Sequence, residues 1–86
     1  GRTVLVTGVT SGIGRETARV LAARGAHVIG TGRSAETTRG VLARFGAGTT
    51  AIACELSDPA SVRQAARDVA ALGWPLDAVI FNAGIM

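Results

Sequence analysis

From Thr7 to Gly14 the chain reads Thr-Gly-Val-Thr-Ser-Gly-Ile-Gly. Glycines at 8, 12 and 14 leave backbone N–H groups uncovered by side chains, and a helix opening at Gly12 adds roughly half a positive charge at its first turn. A pyrophosphate needs that combination of access and donors. Gly8 permits the tight turn, Gly12 lets the phosphates approach, and Gly14 lets the helix pack closely on a sheet. Thr10 and Ser11 offer hydroxyls to phosphate or adenine ribose, with Ile13 completing the helix start. An ordinary turn between strand and helix could carry the same glycines. What favours the phosphate reading is placement after the first strand of a repeating β-α array.

A second position bears on which nucleotide would bind. At the end of the apolar run Val28-Ile29-Gly30-Thr31, an acidic residue would accept hydrogen bonds from ribose hydroxyls and repel a 2′-phosphate. No acidic residue occurs between Glu16 and Glu36; the position holds Gly32, and Arg33 follows. A guanidinium grips phosphate through paired hydrogen bonds and stacks on adenine. This favours NADP over NAD, the other reading of Arg33 being a solvated residue at a loop tip. Cys54 reads as a small packing residue rather than a nucleophile, since its only imidazole candidate, His27, belongs to another strand.

The elements that must position these residues repeat one unit. Thr3 to Thr7 is a short β-branched run of the kind buried on both faces. A helical pattern follows from about Gly12 to Arg24, with Ile13, Thr17, Val20 and Leu21 sharing a face and Gly25 at the C-cap. Ala26 to Thr31 is a second strand. Ser34 caps a helix running to about Phe45. Thr49 to Ala53 is a third strand, and Ser57-Asp58-Pro59 opens a helix that carries Val62, Ala65, Ala66, Val69 and Leu72 inward. Gly73-Trp74-Pro75 turns the chain into a fourth strand, Asp77 to Phe81. Strands alternating with helices imply an α/β fold, a doubly wound parallel sheet of order 3-2-1-4 with right-handed crossovers. A fourth strand left as an open apolar edge leads to the expectation that residues 1–86 are the N-terminal portion of a larger Rossmann-like domain.

The spacing T-G-x-x-x-G-I-G, rather than G-x-G-x-x-G, resembles that of the short-chain dehydrogenase/reductase family, and the order of elements agrees with that family along the chain. The resemblance implies an oxidoreductase that transfers hydride between NADP(H) and a carbonyl or alcohol substrate. In the family, Gly-Arg at positions 32 and 33 is the NADP-preferring pattern. Cys54-Glu55-Leu56-Ser57 resembles the Asp-Leu segment that contacts adenine, so Glu55 and Leu56 are implied cofactor contacts, with Glu in place of the usual Asp. Phe81-Asn82-Ala83-Gly84 resembles the Asn-Ala-Gly motif: Ala83 and Gly84 would admit the cofactor ribose, and Asn82 would tie neighbouring strands. The family's Tyr-x-x-x-Lys pair and its Ser partner follow that motif, and this sequence contains neither Tyr nor Lys. No catalytic residue is therefore assigned within it. Homo-oligomerisation of the complete enzyme is a further implication. A non-catalytic dinucleotide-binding or sensor module would share the same features up to this point.

Composition bounds the other classes. The 86 residues carry a formal charge of +3, and all nine basic residues are arginine. They are scattered rather than clustered, and aromatics form only 3%; base-stacking platforms are missing, so a nucleic-acid partner is not expected. No apolar run reaches the ~20 residues of a membrane span, so no membrane partner is expected. The chain enters its first strand without the regions of a signal peptide. No metal site is expected. A single cysteine suits a reducing, cytoplasmic setting.

Overall fold

A computed structural model of the chain describes residues 2–10 and 12–81. Its elements are β1 (Thr3–Val6), α1 (Gly12–Ala23), β2 (His27–Gly32), α2 (Ala35–Leu42) continuing into a 3-10 turn (Ala43–Phe45), β3 (Thr49–Ala53), α3 (Pro59–Leu72) and β4 (Ala78–Ile80). The four strands form one parallel sheet in the order β3-β2-β1-β4, as the alternation of elements implied. In register, Leu5 lies between Ile29 and Val79, and Ile29 pairs onward with Thr50.

Alternation of side chains along each strand divides the core between the two sheet faces. Val4, Val6 and Val28 meet Val9, Ala18 and Leu42, so α1 and α2 cover one face. Ile29, Ile52 and Cys54 meet Ala65 from α3, with Leu5, Val69 and Leu72 packed against them, on the other. Helix ends obey local chemistry. Gly25 at φ 90° ends α1, where its amide donates to the Ala22 carbonyl and the Ala26 amide to that of Leu21, the paired bonds of a Schellman motif. Asp58 caps α3 by accepting from the Ala60 amide, with Pro59 at its first position and Gly73 at φ 71° closing it.

Two helix faces differ from the periodicity reading. On α1 the buried line is Gly14 and Ala18, with Leu21 and Ala22 packed beside it, whereas Ile13 is 77% exposed. Ile13, Thr17, Val20 and Leu21 do share a face, but it is an open groove joined by Glu16. The contact with the core is thus made by the small residues Gly14 and Ala18, while the more apolar Ile13 stays exposed. On α3, Ala65 is buried and Val69 and Leu72 pack inward, while Val62 and Ala66 face outward. Among the described residues no helix is long and apolar enough to cross a membrane.

Candidate dinucleotide site

The glycine turn stands where the sequence implied, leaving β1 and opening α1. Gly8 has φ 69°, a left-handed conformation that costs other residues about 1–2 kcal/mol. Two turn amides are used internally: the Val9 amide donates to the Thr31 carbonyl at 3.0 Å, and the Gly8 amide donates to Thr31 Oγ1 at 3.4 Å. Thr31, buried on β2, thus holds the turn against the second strand. Nothing in the sequence pattern singled it out, since this contact crosses 23 residues. The Thr7 amide donates to the Ile80 carbonyl at 3.1 Å, fixing the start of the turn to β4.

Gly12, Ile13 and Gly14 form the first turn of α1, whose N–H groups have no intrahelical acceptor. Gly12 has φ 23°, and a Cβ built on it would enter open space. No acidic residue occupies the first turn, so the positive end of the helix dipole is not neutralised locally. This arrangement fits an anionic group approaching the backbone. Gly14 is buried, consistent with close helix-to-sheet packing. Thr10 directs its methyl toward Gly32.

Beyond the end of β2, Arg33 is exposed and its Nε lies 3.6 Å from Glu55 Oε1, so the structure brings together two residues that the sequence assigned separately. The other Glu55 oxygen accepts from Ser57 Oγ at 2.7 Å and from the Ser57 amide at 3.4 Å. These bonds from Ser57, reinforced by the Arg33 charge, hold the Glu55 carboxyl below its ordinary value. Leu56 is half-exposed beside them. Burial pushes the Cys54 thiol up, and the neighbouring Glu55 charge adds to this, in keeping with a packing role. Ser11, Asn82, Ala83 and Gly84 lie outside the described residues, as does Gly1. Among the described residues no group of three His, Cys, Asp or Glu could hold a metal ion.

Gly8, Gly12, Gly14, Arg33 and Glu55 therefore lie at the carboxyl end of one parallel sheet. The family model for short chain dehydrogenase matches residues 2–86. The chain belongs to this short-chain dehydrogenase family. A probable oxidoreductase of Streptomyces antibioticus is 52% identical over 91 residues, covering all of this chain and 30% of that protein. The 3-oxoacyl-[acyl-carrier-protein] reductase FabG of Escherichia coli K12 is 39% identical over 85 residues, covering 99% of this chain and 35% of that protein. Among solved structures, the RhlG/NADP active-site complex of Pseudomonas aeruginosa superposes with a TM-score of 0.89 at 37% identity, covering 99% of this chain and 35% of that one. This short-chain dehydrogenase chain thus spans about a third of the length of the relatives it matches.

Proposed function

We propose that residues 1–86 form the NADP-binding portion of a short-chain oxidoreductase that transfers hydride between NADP(H) and a carbonyl or alcohol substrate. The observation that carries this reading is the end of β2, where Gly32 replaces an acidic residue and the Arg33 guanidinium stands exposed beside it. A carboxylate there would repel a 2′-phosphate; a guanidinium binds one. The RhlG relative, solved with NADP, supports the same choice.

In this reading the first-turn amides of Gly12, Ile13 and Gly14 receive the pyrophosphate, with Thr10 and Ser11 supplying hydroxyls. Arg33 binds the adenosine 2′-phosphate. Glu55 and Leu56 border the adenine, Ala83 and Gly84 admit the cofactor ribose, and Asn82 ties neighbouring strands. When bound, the dinucleotide supplies a hydride donor or acceptor. Thr31 keeps the turn in register by engaging Gly8 and Val9, so those two amides orient the loop while the helix start faces the anion.

Titrating the intact protein with NADPH and NADH, following nicotinamide fluorescence, tests this reading. NADPH should bind more tightly, and Arg33→Asp should weaken NADPH by about 10- to 100-fold, the worth of a charge-assisted hydrogen bond to phosphate. Equal affinity for both dinucleotides before and after the substitution would count against it.

A further inference from the structure

Gly32 is a glycine for reasons of space. Its backbone has no left-handed φ, so any L residue could adopt its conformation. A Cβ built there, however, would collide with Thr38 Oγ1 and come within 3.0 Å of Thr10 Cγ2. Contacts that short are not met by real Cβ atoms, so a neighbour must move.

Neither side can yield cheaply. Gly32 is tied to the sheet, its carbonyl accepting from the Cys54 amide at 2.7 Å. Thr38 is fully buried, and both its amide and its hydroxyl donate to the Ser34 carbonyl, at 3.0 Å and 2.7 Å. Its β-branched side chain has few χ1 alternatives in a helix. Displacing it means breaking the hydroxyl bond or shifting the first turn of α2, which is joined to Arg33 through Ser34.

From this packing we infer that Thr38 is a specificity-determining residue for the adenosine end of the cofactor. Its hydroxyl fills the space beside Gly32 and bars from that position the carboxylate that would read an unphosphorylated ribose. Discrimination is written twice, as an attraction at Arg33 and as an exclusion imposed from α2. The inference rests on the dinucleotide reading above and extends it to a buried residue that touches no ligand, so Thr38 acts through position 32 as a positioning residue.

The test compares Gly32→Asp, Thr38→Ala and the doubles G32D/T38A and G32D/T38S in the intact protein, by thermal melting and by titration with NADPH and NADH. Gly32→Asp should lower the melting temperature and gain no useful NADH binding. G32D/T38A should recover part of the lost melting temperature and shift the NADH-to-NADPH affinity ratio toward NADH by about tenfold or more, the worth of a new hydrogen bond to a carboxylate. G32D/T38S keeps the hydroxyl and should behave like Gly32→Asp. Should Gly32→Asp fail to fold, Gly32→Ala with and without Thr38→Ala reads the same collision by melting. A Gly32→Asp protein that melts like wild type and already favours NADH overturns the inference, as does a G32D/T38A double that neither recovers nor shifts. Wild-type protein that binds neither dinucleotide removes the reading beneath it; wild type that prefers NADPH, with an unmoved double, removes only the role of Thr38.

Discussion

At the residue scale, the site is an arrangement of charges and amides whose members constrain one another. Arg33 and Glu55 illustrate this: the guanidinium proposed for the 2′-phosphate already lies beside a carboxylate that Ser57 holds in place. The Glu55 carboxyl is depressed, chiefly by the Ser57 hydroxyl and amide and then by Arg33. A depressed carboxylate contributes order that is fully present above its unfolded pKa and is lost as pH falls through the folded value. Acidification should therefore leave the turn after β3 unchanged until pH drops below the ordinary carboxylate range, and the Ser57 amide resonance should then move. In Glu55→Gln that acid-side movement should disappear, which an NMR pH titration checks. Cys54 offers a second outcome. With burial and then the Glu55 charge pushing its thiol up, a disulfide reagent should react with the native protein at neutral pH far more slowly than with the unfolded chain. Glycine spacing and the missing acid at 32 were legible because they are local patterns. Thr31 and Thr38 were not, because their roles depend on which distant residues the fold brings against them.

At the element scale, the glycines of β2 set how near α2 and the glycine turn come. Val28, Gly30 and Gly32 share one face, and side-chain size falls toward the site. A Cβ on Gly30 would lie 2.9 Å from Leu42 Cδ1 and 3.0 Å from both Val9 methyls, so Gly30→Ala should overpack the core and cost about 1–3 kcal/mol. Leu42, fully buried in the same cluster, should cost about 2–5 kcal/mol when replaced by Ala, through lost transfer energy and the cavity left behind. Urea unfolding of both variants measures these values, and a neutral Gly30→Ala would show that the contact relaxes. Strand order and most element bounds could be read from short β-branched runs separated by glycines and caps. The inward face of α1 could not: Ile13 has the more apolar side chain, yet Gly14 and Ala18 take the contact. Hydrophobic periodicity marked the residues of α1 that line its open groove, not the small ones that meet the core.

At the scale of the whole molecule, apolar surface is distributed unevenly. All three residues of β4 are exposed, and with Val79 56% and Phe81 67% exposed, large side chains meet water along the β4 edge of the sheet. Among the described residues β3 and β4 are the two outer strands. An outer strand presents unpaired N–H and C=O groups along its free edge, and beside exposed large apolar residues that edge is a template for pairing with another chain. The isolated 86-residue chain should therefore bind a fluorescent apolar dye while folded, and it should sediment as larger species as its concentration rises. Val79→Lys places a charge on that strand while its backbone pairing to Leu5 needs no side chain. The substitution should lower both dye binding and association while preserving the circular-dichroism signature of the sheet and helices. If the unsubstituted chain stays monomeric and silent to the dye, the β4 edge is not the adhesive surface that its exposure implies.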